Sequence, residues 1–170
     1  MMETKKYKLN LYELFFYHPL STYKININNK VYQNVLFIGE EQKAIETVRT
    51  VFWDSQYPNC RTCVTYAASE KDKLVNIKEH FNDSAKYPAL KEYIDTGYMD
   101  EINVYELHND KELDSLKDLV VGEKSFSYII IATGDSYKDW NYLSALESLY
   151  DEYKLPNVMI AIYNDGLNEM

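Results

Sequence analysis

Apolar residues recur with two different spacings along this chain, and segments of the two kinds alternate. Five short segments rich in apolar and β-branched residues predict β-strands. These strands are predicted at 34–38, 61–66, 101–107, 126–132 and 157–163. Three intervening segments repeat apolar residues every three or four positions and predict helices that bury one stripe, at 40–57, 110–121 and 136–154. The longer interval 67–100 favours a helix near 70–81 and a short helix that begins at Pro88.

Strands that alternate with helices predict a parallel sheet covered by helices on both faces. The stretch 128–131 is apolar throughout, as expected of a central strand. Because crossover connections are right-handed, we predict a Rossmann-like three-layer α/β/α fold. Its parallel five-stranded sheet has the order 3-2-1-4-5, which places strand 34–38 in the centre beside strand 126–132.

Residues 1–33 follow neither pattern, and we predict that they form an N-terminal appendage to a Rossmann-like domain at 34–170. An apolar, aromatic segment at 9–17 is expected to pack on the sheet edge or on a second copy of the chain. Few residues follow the last strand, whereas Rossmann domains usually continue to a sixth. The chain is therefore interpreted as a minimal domain or a piece of a longer protein.

Composition narrows the classes of partner. The chain has 170 residues, 46% of them hydrophobic, and a formal net charge of −9. Such a charge repels phosphate, so we expect no nucleic-acid partner. No apolar run approaches the roughly 18 residues that span a bilayer, so no direct membrane insertion is expected. Two cysteines and the absence of a secretory signal predict a cytoplasmic location.

The corner after the first strand should hold a phosphate-binding loop, but the expected glycine pattern is incomplete. A dinucleotide loop needs glycines for a tight turn and for close approach of the pyrophosphate. Gly39 is kept, Ala44 is an accepted substitute, and Glu41 stands where the second glycine belongs. Glu40 adds a second negative charge. The pattern is typical of an ordinary acidic first turn that caps its own helix; the alternative is a ligand bound without a pyrophosphate.

Two further corners supply the remaining candidate positions. The second strand ends at Tyr66 rather than at the acid that binds a ribose, and Tyr66 either packs in the core or stacks on an adenine. The fourth strand leads into Thr133, Gly134 and Asp135. There Ser136 and Asp139 have the spacing of a capping box, and Gly134 permits close approach of a ligand.

The fourth strand and its helix carry a resemblance to a known family. The run Ile-Ile-Ala-Thr-Gly-Asp at 130–135, with Asn141 and Ala145, resembles the corresponding strand and helix of the TrkA-N or RCK domains. The last strand, at 158–165, is similar to theirs as well. These are NAD- or nucleotide-binding regulatory domains of potassium transport systems. The resemblance covers 34–165 in the order of elements and 129–145 at the level of motifs, and it implies a regulatory, ligand-sensing or oligomerising domain.

Other motifs give no catalytic or metal site. Cys60 and Cys63 have a Cys-x-x-Cys spacing but lead into a strand, so they are predicted to be ordinary thiols, with Cys63 in the core. A structural zinc site needs four ligands, and the three histidines are scattered. We therefore expect no catalytic residue and no metal.

These observations predict a non-enzymatic, degenerate Rossmann domain with a regulatory, ligand-sensing or scaffolding role. It is expected to work as a homo-oligomer or within a larger parent protein. Its cofactor is unknown; NAD or another adenine nucleotide would bind weakly, because Glu41 and Tyr66 depart from the NAD pattern. The alternatives are an NAD-dependent oxidoreductase and an S-adenosylmethionine-dependent methyltransferase-like domain, and both would need the missing glycine-rich loop.

Overall fold

The structure, a computed structural model, describes residues 3–7, 11–27, 30–55, 60–69, 99–107, 112–122, 125–156 and 158–163. The strands are β1 (Glu3–Tyr7), β2 (Ile25–Ile27), β3 (Lys30–Gly39), β4 (Cys60–Ala68), β5 (Met99–Glu106), β6 (Tyr128–Ala132) and β7 (Met159–Tyr163). The α-helices are α1 (Leu11–Tyr17), α2 (Glu41–Asp54), α3 (Glu112–Val121) and α4 (Ser136–Glu152), and a short 3₁₀ helix covers Leu20–Tyr23. The helices predicted near 70–81 and from Pro88 lie outside the described residues.

One sheet of seven strands organises the part of the chain that the structure describes. Its order is β1-β7-β6-β3-β4-β5, and β2 pairs antiparallel with β3. All other pairs are parallel. The five strands predicted from the sequence keep the predicted order, with β3 central between β4 and β6. The α/β class and the Rossmann-like arrangement are thus confirmed.

The sheet differs from the prediction at its far edge. Strand β1, from the N-terminal segment, pairs in parallel with β7, in register from Glu3 opposite Met159 to Tyr7 opposite Tyr163. It occupies the position beyond the fifth strand that a sixth strand takes in a Rossmann domain. Periodicity over 1–33 missed this strand because a five-residue edge strand carries little apolar pattern.

The core lies on both faces of the sheet. Alternation along β3 sends Val35 and Phe37 to one face and Leu36 and Ile38 to the other, and all four side chains are almost fully buried. Helices α1 and α2 cover the first face, and α3 and α4 cover the second. Every residue of β6 is buried, as expected for a strand covered on both faces.

The N-terminal segment packs against the sheet of its own chain. Leu11 and Leu14 of α1 are buried in the same cluster as the central strands, whereas Phe16 is 78% exposed. The side-chain amide of Gln33 donates to the carbonyl of Leu20. The Tyr128 hydroxyl donates to the carbonyl of His18 at 3.2 Å. The boundary proposed at residue 33 remains an interpretation.

Candidate functional site

The candidate site lies where the carboxyl ends of β3, β4 and β6 meet. The chain leaves β3 towards β4 on one side, and β6 lies on the other, so the strand order reverses at this point. Ligands bind at such switch points in open α/β sheets. A cavity of about 120 Å³ opens there. Its described lining includes Gly39, Glu40, Tyr66, Glu112, Thr133, Lys138 and Tyr142.

Three of the six predicted positions line this cavity. They are Gly39, Tyr66 and Thr133. Of the other three, Glu41 lies in the first turn of α2, and Gly134 and Asp135 lie in the loop that precedes α4. The acid that borders the cavity from the first corner is Glu40, one residue before the position that the glycine pattern singled out.

The first corner is closed by backbone contact between β3 and β6. Gly39 has a φ of +153°, a conformation that favours glycine, and a Cβ on it would overlap the Ala132 carbonyl. The Glu40 amide donates to that same carbonyl at 3.0 Å. Gly39 therefore serves the close approach of two strands, and the switch-point crevice begins only beyond Ala132.

The start of α2 is acidic, but Glu40 does not cap it. Glu40 is the N-cap residue, and its side chain makes no capping hydrogen bond. The Glu40 carboxylate lies 3.8 Å from the ammonium of Lys43, a residue that is 7% exposed. The expectation that the acidic first turn caps its own helix is therefore wrong for Glu40. Its carboxylate lies beside the Lys43 ammonium and accepts no hydrogen bond from the helix amides.

Tyr66 closes the cavity from the side of β4. It is fully buried, and its hydroxyl donates to the carbonyl of Gly39 at 2.9 Å. Its ring packs at a tilt against Phe37, with centroids 5.9 Å apart. Stacking on an adenine would require the ring to leave these contacts, so the geometry favours the packing interpretation.

The second corner, between β6 and α4, satisfies its own polar groups. Asp135 is the N-cap, and its carboxylate accepts hydrogen bonds from the amides of Tyr137 and Lys138 at 2.9 and 3.3 Å. The buried Asp139 accepts from the amide and the hydroxyl of Thr133 at 2.9 and 2.6 Å. The predicted Ser136–Asp139 capping box is therefore wrong: Ser136 is already helical, and Asp139 reaches back to Thr133 instead.

Sequence reasoning missed the residues that give the cavity most of its polar character. Lys138 brings a cation, and the Tyr142 hydroxyl donates to Glu112 at 3.2 Å across the gap between α4 and α3. Burial, and then the Glu112 carboxylate, raise the pKa of Tyr142 well above its usual range. The sequence contained a weak indication of Glu112. It lies in the first turn of the helix that follows β5, and such a turn lies near the carboxyl edge of a parallel sheet. Tyr142 carried only a helical core pattern.

Neither cysteine belongs to the described lining of the cavity. Cys60 is buried and neither cysteine forms a disulfide; Cys63 is half-buried and therefore less deeply placed than expected. In the part of the chain that the structure describes, no cluster of three or more His, Cys, Asp or Glu residues could hold a metal ion. The described helices include none with the length and apolar character to span a bilayer.

No protein family, curated protein or solved structure matches this chain. The case for a function therefore depends on the chemistry of the switch-point cavity and on the resemblance carried by 129–145. The described lining of the cavity combines two carboxylates, one ammonium and two phenol hydroxyls in a small volume. Such a set can hold a compact molecule that carries both donors and acceptors.

Proposed function

We propose that this chain is a non-enzymatic, Rossmann-like regulatory or scaffolding domain that senses one compact polar molecule at the switch point. The carrying observation is the closure of the first corner: Gly39 fits under the Ala132 carbonyl, and Tyr66 bonds to the Gly39 carbonyl. This closure leaves a cavity suited to a small molecule.

Size argues against a dinucleotide. The described cavity has a volume of about 120 Å³. Sites for drug-sized ligands usually enclose about 300–1,000 Å³. An adenine nucleotide would therefore place at most one small part of itself in the cavity, which supports weak binding.

The charges around the cavity also argue against a dinucleotide. The Glu40 carboxylate borders the cavity, and at the second corner the amides that would hold a phosphate are bonded to Asp135. A phosphate would have to displace one carboxylate and approach another. The rival NAD-dependent oxidoreductase needs the phosphate contacts that these acids oppose, and both it and the methyltransferase-like rival need the ribose-binding acid in whose place Tyr66 stands.

The regulatory role is favoured by the resemblance of 129–145 to TrkA-N or RCK domains, which sense ligands for a larger system. We infer that this domain likewise works in the cytoplasm within an assembly, as a homo-oligomer or as part of a longer protein. Light scattering on the intact chain tests the first option. A monomeric mass over a hundredfold range of concentration would leave only the second.

Deletion of residues 1–20 would not be an informative test of assembly. Leu11, Leu14 and Leu20 belong to the chain's own core, so the shortened protein would lose stability whatever its partners.

A thermal-shift screen tests the ligand proposal directly. It would compare single amino acids and small amines with NAD, NADH, ATP, AMP and S-adenosylmethionine, in wild type and in Lys138→Gln. A ligand at 100 times its dissociation constant stabilises the folded state by about 2.7 kcal/mol. We expect stabilisation by a compact ligand that Lys138→Gln weakens. Micromolar NAD binding would contradict the proposal.

Two double variants separate the reasons for weak dinucleotide binding. Glu40→Gln with Glu41→Gln removes the two charges and keeps side chains of the same size. Glu40→Gly with Glu41→Gly removes the two charges and the two side chains. If charge is the main obstacle, calorimetry should show the same gain in NAD affinity for both. A gain in the glycine variant alone would assign the obstacle to side-chain volume. No gain in either would assign it to the closed backbone at Gly39.

A further inference from the structure

A second cavity lies at the opposite end of α2 from the switch point. Helix α2 starts at the switch point and ends at Asp54, about 20 Å away by the rise of 14 helical residues. The cavity there has a volume of about 330 Å³, at the lower end of the range for small-molecule sites. Its described lining is Phe15, Phe16, Pro19, Leu20, Ser21 and Asp54.

The lining is apolar and aromatic except at one end. Phe15 and Leu20 are buried and form the inner wall, while Phe16 is 78% exposed and borders the mouth. Ser21 supplies one hydroxyl, and Asp54 supplies the only charged side chain in the described lining. An occupant that matches this wall has an apolar body and one polar group that lies at Asp54.

The charge at that end is negative for two independent reasons. Asp54 is an acid in the last turn of α2, and the last turn contains no basic residue. The carboxyl end of a helix also carries a partial negative charge from its carbonyl groups, which adds to the carboxylate. A positive group placed there would be attracted by both.

The surroundings of Asp54 point to the same occupant. Burial raises the pKa of the Asp54 carboxyl above its usual range, although the residue keeps surface open to solvent. Water therefore solvates this carboxylate incompletely, and a cation beside it would replace the missing solvation. Aromatic faces attract cations as well, most strongly organic cations that are weakly hydrated.

We propose that the cavity between α1, the 3₁₀ helix and the end of α2 binds a small organic cation, a substituted ammonium with an apolar body. The ammonium lies at Asp54, and the apolar body packs on Phe15, Phe16 and Pro19. This site is separate from the switch-point cavity and stands whether or not that cavity binds a ligand.

The test uses benzyltrimethylammonium as the probe, followed by saturation-transfer NMR and titration on the intact chain. Phenylacetate, with the opposite charge, and benzyl alcohol, without charge, serve as matched probes. We expect the cation to bind at least fivefold more tightly than either benzyl alcohol or phenylacetate, and its affinity to fall when salt is raised. Equal affinity for the cation and benzyl alcohol, or no binding of the cation at 10 mM, would overturn the proposal.

Variants locate the site. Asp54→Asn keeps the shape of the side chain and should weaken the cation about fivefold or more, and Phe16→Ala should weaken it about threefold. Asp151→Asn, an exposed acid near the end of α4 and outside the cavity lining, is the matched control and should leave binding unchanged. Equal affinities in wild type and Asp54→Asn would refute the site. A second result would also refute it. If light scattering gave a dimer mass for wild type and a monomer mass for Phe16→Ala, the cavity would be a contact between copies of the chain.

Discussion

The two strand-to-helix corners at the switch point solve the same geometric problem in different ways. At the β3–α2 corner, Gly39 lets the backbone close against Ala132, and the N-cap residue Glu40 makes no side-chain capping bond. At the β6–α4 corner, Asp135 and Asp139 accept four hydrogen bonds between them from the loop and the first turn. The first corner is held by close packing of backbone, and the second by side-chain carboxylates.

This difference teaches why a Rossmann-like fold need not bind a dinucleotide. In a dinucleotide site, glycines open the corner and the helix amides face a phosphate. Here the glycine closes one corner, and carboxylates of the protein occupy the phosphate's place at the other. Both devices stabilise the fold through contacts within the chain. The comparison predicts that stability at the first corner depends on volume and at the second on hydrogen bonds.

The largest effect is expected from a methyl group at the first corner. Gly39→Ala should lower the free energy of unfolding by about 3 kcal/mol, because the Cβ overlaps a backbone carbonyl that cannot move without separating β3 from β6. Gly134→Ala is the matched control at the second corner. Its φ of 81° alone should cost about 1 kcal/mol. Urea unfolding followed by circular dichroism measures both.

Equal losses for the two alanine variants would break the comparison, since steric closure would then contribute nothing beyond the backbone conformation. Typical domains have about 5–15 kcal/mol of stability, so both variants are expected to fold in the absence of urea.

The next effect belongs to the buried carboxylate of the second corner. Asp139 is 3% exposed, and Asp139→Ala leaves the Thr133 amide without its acceptor and the Thr133 hydroxyl with only the Asp135 carbonyl, at 3.1 Å. A loss of about 2 kcal/mol is expected from the urea midpoint, because buried donors without partners are costly. The double variant Thr133→Val with Asp139→Ala should lose less than the sum of the single variants. Additive losses would show that the two residues act independently.

The capping difference between the corners gives a smaller effect. Asp135→Ala removes an N-cap acceptor with two amide donors and should cost about 1 kcal/mol. Glu40→Ala removes an N-cap side chain that makes no capping bond. Its ion pair with Lys43 is long, at 3.8 Å, and the Glu40 side chain is 47% exposed, so the pair is worth about 0.5 kcal/mol. If both variants lost the same stability in thermal unfolding, the two helix starts would not differ as described.

The sequence predicted the sheet better than it predicted the site. Strand order followed from the alternation of apolar periods, because each strand and helix is read locally and right-handed crossovers restrict the topology. Strand β1 was missed because its place is set by pairing with β7, more than 150 residues away in sequence. No local pattern encodes a partner at that distance.

Site residues were predicted only where a strand end or a loop motif marked them. Gly39 and Thr133 follow strands directly, so their position at the sheet edge could be read from the chain. The direction of the Glu40 side chain could not, because it depends on a competition between the helix amides and Lys43. Tyr142 was hidden because its helical spacing is that of any core residue, and only the packing of α3 against α4 brings its hydroxyl to Glu112.

The smallest effect at neutral pH concerns Tyr142, the residue of α4 whose side chain lines the cavity beside Glu112. Tyr142→Phe removes one hydrogen bond to Glu112 and should cost about 0.5 kcal/mol at pH 7. Burial raises the pKa of Tyr142 in the folded chain, so above about pH 10 the unfolded chain loses this proton while the folded chain keeps it. The wild type therefore loses about 1.4 kcal/mol per pH unit from this group, and the phenylalanine variant does not.

The stability curves of wild type and Tyr142→Phe should consequently cross between about pH 10 and pH 11. Tyr150, whose pKa is also raised by burial, contributes equally to both curves and does not move the crossing. Tyr137→Phe, at a position that is 76% exposed, controls for the loss of one tyrosine. Urea unfolding from pH 7 to 11 measures the crossing. A constant difference over that range would mean that solvent reaches the Tyr142 hydroxyl, and the cavity would then be open on the side of α3.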